Sequence, residues 1–178
     1  MISTRFVRTG ASALALIALL GCGATLPGGG KNGSDGDGFR ARYVTARAAL
    51  EGGDYDAARR GYLKLIDEAG ALAPRLRLEY AHTLLRAGDH ARARSEAQAV
   101  AEGASGQDRL AALAVAATAA HELGLEALAA GERDRARSLL ASAEADLDAV
   151  LSGAPDLDPA GTIAARRARL SGERTALR

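Results

Sequence analysis

The side chains best suited to binding a metal ion or to covalent chemistry are one cysteine, Cys22, and three histidines, His82, His90 and His121. A thiol can ligate a metal or attack a carbonyl carbon, and an imidazole can ligate a metal or transfer protons. One cysteine excludes an intramolecular disulfide, and these four residues lack the ligand spacing of a structural zinc site. The sequence therefore predicts no metal and no cofactor.

The histidines do not form a recognisable catalytic pattern either. His90 follows a Gly-Asp turn, where we expect it to be solvated, while His82 and His121 fall in helix-forming stretches, where we expect them to be partly exposed. Serine and aspartate are scattered, and no glycine-rich phosphate loop follows a strand. These observations predict a protein that is not an enzyme.

The surroundings of Cys22 indicate another role for its thiol. Arg5 and Arg8 precede an uncharged apolar run, 11–20, that is too short to span a bilayer and that ends in the residues LLGC. This segment resembles a bacterial lipoprotein signal, with Leu19 three positions before the cysteine and a small residue directly before it. The alternative is an incidental cysteine after an ordinary signal peptide.

The lipoprotein resemblance implies a membrane anchor and a location. In that family the cysteine thiol receives a diacylglyceryl group, the signal (here 1–21) is removed, and the new amino terminus is acylated, for example with palmitate. Several acyl chains hold a protein stably on a membrane. Glycine rather than aspartate at position 23 implies sorting to the outer membrane, with the protein on its periplasmic face. Residues 22–38 are rich in glycine and short polar residues and predict a flexible tether that reaches roughly 20–25 Å.

Composition and charge favour a helical protein that does not bind nucleic acid. Hydrophobic residues make up 48% of the chain but aromatic residues only 3%, and alanine and leucine, which are strong helix formers, carry the apolar fraction. The net charge is +1, and removing Arg5 and Arg8 with the signal leaves about −1. No strong positive field is therefore available for nucleic acid. We expect an all-α fold.

Three related turns divide residues 39–152. The segments GDYDAA, GDHARA and GERDRA begin at Gly53, Gly88 and Gly131, which lie 35 and 43 positions apart. A period near 34 residues, built from two helices, resembles the tetratricopeptide repeat (TPR). That resemblance implies a right-handed superhelix of about three helical hairpins, with the extra residues of the third unit in its first helix, roughly 107–130. The alternative is a plain alanine-rich helical bundle. The residues placed at repeat packing positions are Gly53, Ala58, Tyr62, Gly88, Ala93, Gly124, Gly131 and Ala136.

The segment 153–178 predicts a final capping helix. The residues SGAPDLDP break the preceding helix, and Asp158 with Pro159 has the pattern of an N-cap followed by proline in the first turn of a helix over roughly 159–171. Its polar character suits the outer cover of a repeat array. A basic helix that lies on the membrane surface is the alternative.

The TPR resemblance also implies where a partner would bind. In that family the first helix of each unit lines an inner groove, and its arginines would suit an extended protein or peptide segment that carries carboxylates. The alternative is that these arginines are simply solvated. The sequence thus predicts a lipid-anchored scaffold or assembly factor that binds a partner protein, with a homo-oligomeric structural envelope protein as the alternative. The expected groove residues are Arg40, Tyr43, Arg47, Leu50, Arg75, Leu78, His82, Arg86, His121 and Leu125.

Overall fold

The fold is all-α, as composition predicts. The computed structural model describes residues 33–177, with side chains from residue 36, and this part of the chain forms seven α-helices and no strands. The signal 1–21, Cys22 and the tether up to residue 32 lie outside the described residues. The helices are α1 (Gly33–Glu51), α2 (Tyr55–Glu68), α3 (Ala73–Arg86), α4 (His90–Gly103), α5 (Gly106–Ala129), α6 (Arg133–Gly153) and α7 (Thr162–Thr175).

The three glycine turns have the same geometry. Gly53, Gly88 and Gly131 take φ values of 80°, 81° and 79°, which L side chains rarely adopt. In each turn the glycine N–H donates to the carbonyl three residues back, and the next N–H donates to the carbonyl five residues back, at 2.9–3.0 Å in the second case. This is the Schellman arrangement that closes a helix. The turns therefore join α1 to α2, α3 to α4 and α5 to α6 in the same way.

Each helix packs chiefly against its neighbours in sequence, with an additional contact between α3 and α5. A small residue five positions after each turn glycine allows the paired helices to pack closely. These residues, Ala58, Ala93 and Ala136, are all fully buried. Tyr62 is also fully buried in the first hairpin. Close approach of paired helices at these points gives a series of apolar clusters along the helices.

Two helical glycines allow still closer approach. A Cβ on Gly124 of α5 would lie 2.6 Å from a methyl carbon of Leu140 on α6, and a Cβ on Gly61 of α2 would lie 2.8 Å from the Cβ of Ala46 on α1. Neither position accommodates a side chain without movement of its neighbour. The glycines therefore set the distance between the paired helices of the third and first hairpins.

The third hairpin is longer than the others in both of its helices. The extra residues were expected in the first helix alone, and α5 does span 24 residues, but α6 spans 21 where α2, α3 and α4 each have 14. The spacing between turn glycines measures only what lies between turns, so it cannot report the length of α6. The most apolar window of α5 has a mean hydropathy of 1.2 and is half buried inside the protein. A central helix with partners on several sides requires that composition.

Helix α1 begins before the expected start of the domain. Gly33–Gly38 were assigned to the tether but are helical, and α1 runs from Gly33 rather than from Phe39. Asp37 near the amino-terminal end of the helix carries a charge that favours the positive end of the helix dipole.

Helix α7 starts three residues later than expected, because Asp158 caps it from a distance. Its carboxylate accepts hydrogen bonds from the backbone N–H groups of Ile163 and Ala164, both at 2.9 Å. Pro159 consequently lies in the turn before the helix and not in its first turn. Pro74, by contrast, lies in the first turn of α3, as expected for a helix start.

The arginines of α7 face the protein. Arg166 pairs with Glu122 of α5 at 2.8 Å, Arg167 pairs with Asp148 and Glu144 of α6, and Arg174 also pairs with Glu144. The fully buried Leu170 packs in the core between these ion pairs. Three of the four arginines of α7 are thus used within the fold, an arrangement that fits a capping helix better than a membrane-surface helix.

Candidate binding surface

The expected groove residues on α1 and α3 form one cationic surface. Arg40, Tyr43 and Arg47 are spaced for one face of α1, and Arg75, His82 and Arg86 are spaced for one face of α3. We call these six residues the first-helix surface. Arg47 Nη1 lies 3.4 Å from Glu79 Oε1, so α1 and α3 come close together at this surface.

Arg47 and Arg86 are held by neighbouring side chains. The Arg47 Nε donates to Glu51 Oε1 at 2.9 Å, and its Nη1 lies 3.4 Å from Glu79 Oε1 on α3. These carboxylates raise the pKa of Arg47 above its usual range, with the hydrogen bond to Glu51 as the largest cause. The Arg86 guanidinium lies over the Tyr55 ring, 5.6 Å from its centroid. Both arginines therefore contribute to the packing of the first and second hairpins.

His82 is a neutral imidazole in a positive environment. Burial lowers its pKa first, and the charges of Arg86 and Arg47 lower it further. At neutral pH it offers a hydrogen-bonding imidazole between two guanidinium groups.

The first-helix surface also has two arginines that point to solvent. Arg40 and Arg75 are exposed, and neither forms an ion pair within residues 36–177. These are the cations available to carboxylates from outside. Tyr43 beside them is half buried and packs edge-on against Tyr62, with ring centroids 6.4 Å apart.

Two expected groove residues belong to the core instead. Leu50 is only 2% exposed and packs within the first hairpin, so its assignment to a groove was wrong. Leu78 is half buried against an apolar cluster that includes Val100, Ala112 and Leu113, because the long α5 covers that part of α3. The periodicity of α1 and α3 identified the helix face but not how deeply each position is buried.

His121 is wrongly placed in the groove as well. It is 2% exposed, its Nε2 lies 2.7 Å from Glu173 Oε2, and its Nδ1 lies 2.8 Å from Arg166 Nη1. Both partners belong to α7, which covers this part of α5. The half-buried Leu125 lies one turn further along α5. The first-helix surface therefore does not continue through His121 onto α5 and remains on α1 and α3.

His90 also differs from its expectation. It was expected to be solvated, but its side chain is only 19% exposed and its Nδ1 lies 2.6 Å from Glu126 Oε1 on α5. The helix that covers His90 is distant from it in sequence, so the turn pattern around residue 90 does not reveal the contact. Within residues 33–177 no three histidine, cysteine, aspartate or glutamate side chains come together as a metal-binding group.

A second polar site was not found from the sequence. A cleft of about 500 Å³ opens between α4 and α6, above α5, and we call it the α4–α6 cleft. Sequence reasoning directed attention to the first helices, whereas this cleft is built mostly from second helices. The spacing of Arg94 and Gln98, four residues apart on α4, was the one available signal. Its principal lining residues are Arg94, Ser95, Gln98, Leu123, Arg135 and Ser138.

Comparisons of the chain with protein-family models, with curated proteins and with solved structures found no match. The first-helix surface and the α4–α6 cleft are thus defined by the sequence and geometry of this chain alone.

Proposed function

We propose that this chain is a non-enzymatic, lipid-anchored protein of the bacterial cell envelope that binds a partner protein through TPR-like helical hairpins. The observation that carries the proposal is the repetition of one Schellman turn, at Gly53, Gly88 and Gly131, between consecutively packed helices. Series of helical hairpins present an extended surface formed by corresponding helices, and such surfaces serve binding. The proposed superhelix is right-handed and ends in α7 as its cap.

The proposed partner segment is extended and acidic. Arg40 and Arg75 are exposed and spaced along neighbouring first helices, and a guanidinium binds a carboxylate through two parallel hydrogen bonds. On the same two helices, neutral His82 supplies hydrogen bonding and half-buried Tyr43 supplies apolar contact. A scaffold or assembly factor at the outer membrane would present such a surface to the periplasm.

The test of this surface is crosslinking in the native host followed by mass spectrometry. We expect Arg40→Glu combined with Arg75→Glu to abolish capture of the crosslinked partner, because both exposed cations become anions. Arg60→Glu combined with Arg169→Glu is the matched control, since both residues are exposed on other helices. Helicity by circular dichroism should stay the same in both variants. Equal capture by the two double variants would contradict the binding surface.

The proposed anchor is Cys22, acylated after removal of residues 1–21. Metabolic labelling with an alkyne-bearing palmitate should label the wild-type chain and not a Cys22→Ala variant, which should leave the membrane fraction. A Cys22→Ala chain that stays in the outer-membrane fraction would show that another segment holds the protein there.

A homo-oligomeric structural protein is the second candidate, and one observation favours it. Val44, Leu63 and Leu72 are 57%, 46% and 55% exposed and all lie in or next to the first hairpin. Association through the first hairpin would remove these three side chains from water. Sedimentation of the full chain in detergent distinguishes the candidates: self-association that Leu63→Glu abolishes supports the oligomer, and a concentration-independent monomer contradicts it.

A further inference from the structure

Among the described residues, Arg94 of α4 is a charged side chain whose guanidinium group is not fully hydrogen bonded. Its Nε is buried and has no hydrogen-bond acceptor among the described residues, and no carboxylate of residues 36–177 lies within ion-pair distance of its guanidinium. The side chain as a whole is half buried, and a buried N–H without an acceptor carries a desolvation cost. The side chain borders the α4–α6 cleft, so an anion that enters the cleft would remove that cost.

The other polar groups of the cleft are donors as well. Ser95 and Ser138 face each other from α4 and α6, and Gln98 follows one turn after Arg94. Arg135 adds a second guanidinium at the rim, although it is already paired with Glu132 at 2.8 Å. Hydroxyl and amide groups beside an arginine suit a hydrogen-bond acceptor with negative charge.

The carboxylate of Asp146 on α6 does not satisfy Arg94. The two residues interact through charge, but no hydrogen bond or ion pair joins them. Burial raises the pKa of Asp146, while Arg94 and Arg109 act against that rise. Arg94 thus borders the open cleft, and its Nε–H has no acceptor within the described part of the fold.

The cleft has an apolar floor formed by Leu123 of α5 and Leu139 of α6. An inorganic anion would gain nothing from these side chains, whereas the two methylene groups of a glutamate would pack against them. A carboxylate also matches the planar fork of a guanidinium through paired hydrogen bonds.

We propose that the α4–α6 cleft binds a glutamate side chain of an acidic protein segment, with Arg94 as its main partner. The site lies on second helices and is separate from the first-helix surface, so it does not depend on the function proposed above. It gives the protein a second point of contact with an acidic segment, on another side of the hairpins.

The test is fluorescence anisotropy of the full chain, purified in detergent, with a labelled peptide of alternating glutamate and glycine. We expect saturable binding that Arg94→Gln weakens about tenfold to a hundredfold, the usual effect of losing a charge-assisted hydrogen-bonded pair. Arg169→Gln, which removes an exposed cation from α7, is the matched control and should bind like the wild type. Ser138→Glu places a competing carboxylate in the cleft and should also block binding, which keeps the test valid if Arg94→Gln disturbs folding.

Four results would overturn the inference. They are equal affinity of Arg94→Gln and Arg169→Gln, equal affinity for a glutamine-glycine peptide, displacement by inorganic phosphate at ionic strength held constant with sodium chloride, and failure of Ser138→Glu to compete. The Arg40→Glu, Arg75→Glu variant should keep Arg94-dependent binding. If that variant alone loses the peptide, the peptide binds the first-helix surface and not the cleft.

Discussion

At the scale of single residues, Tyr62 fills the core of the first hairpin but buries a hydroxyl group there. The ring is fully buried and fills the gap beside Ala58, but the hydroxyl has no hydrogen-bond partner among the described residues. Burial raises the pKa of this phenol above its usual value, so the group stays neutral. The ring therefore contributes apolar packing, whereas the hydroxyl contributes no hydrogen bond.

Replacing Tyr62 separates these two contributions. Tyr62→Phe should leave the free energy of unfolding unchanged or raise it by about 1 kcal/mol, because an unsatisfied hydroxyl leaves the core. Tyr62→Ala should cost about 3–5 kcal/mol through lost burial and a cavity. Urea denaturation followed by circular dichroism measures both. A clear loss of stability in Tyr62→Phe would mean that the hydroxyl has a partner in solution.

Sequence reasoning worked for the small residues at turns and failed for residues covered by distant helices. Gly53 and Ala58 could be placed because a left-handed turn and a close helix contact each permit few residue types. His121 was misplaced because α7, which is distant in sequence, covers it, and Leu50 was misplaced because helical periodicity does not give the depth of burial within the first hairpin. Arg94 was missed because a buried N–H without an acceptor is visible only once its neighbours are known.

At the scale of elements, α7 depends on one carboxylate. Asp158 receives hydrogen bonds from Ile163, Ala164 and Thr162, and α7 in turn covers Leu140 and Leu147 of α6. Burial of Asp158 opposes its ionisation, but the hydrogen bonds together outweigh burial and hold its pKa below the usual value. The start of the helix was expected near this residue, although the length of the intervening turn was not.

Loss of this cap should destabilise the protein in a pH-dependent way. Asp158→Ala should lower the free energy of unfolding by about 1 kcal/mol at neutral pH. Because the folded-state pKa lies below the unfolded value of about 3.9, the contribution is complete above that pH and disappears as the pH falls through the lower folded value. Denaturation at several pH values measures this. Asp158→Asn, which keeps an acceptor without the charge, is the control. A deficit of Asp158→Ala that persists fully below the folded-state pKa would contradict the cap.

At the scale of the whole molecule, contacts run mainly between neighbouring helices, so stability should be local. All-α character followed from composition, and the three hairpins followed from the turn spacing. The bounds of α5 followed as well, since the expected 107–130 agrees with Gly106–Ala129, and the break after residue 152 agrees with the end of α6. In such a series each interface contributes separately, and distant hairpins are coupled only through those between them.

A disturbance in the first hairpin should therefore stay there. Gly61→Val places side-chain atoms against Ala46 and should speed amide hydrogen exchange in α1 and α2, with little change in α6 and α7. Exchange measured by mass spectrometry on peptic fragments resolves the hairpins. Gly172→Ala, in a helical position with open space, is the control and should speed exchange nowhere. Equally faster exchange in all helices would show a single cooperative unit.

The two ends of the series of hairpins differ, because among the described helices only the α6 end is covered by a further helix. Helix α7 packs on α6, whereas no described helix packs on the far side of α1, and Val44 of α1 and Leu63 of α2 are exposed in the first hairpin. Copies of this chain that associate through the α1 end must therefore meet head to head around a two-fold axis, with the same patch used on both sides. Such a contact closes at two copies, because each copy uses the same patch and no second patch is needed.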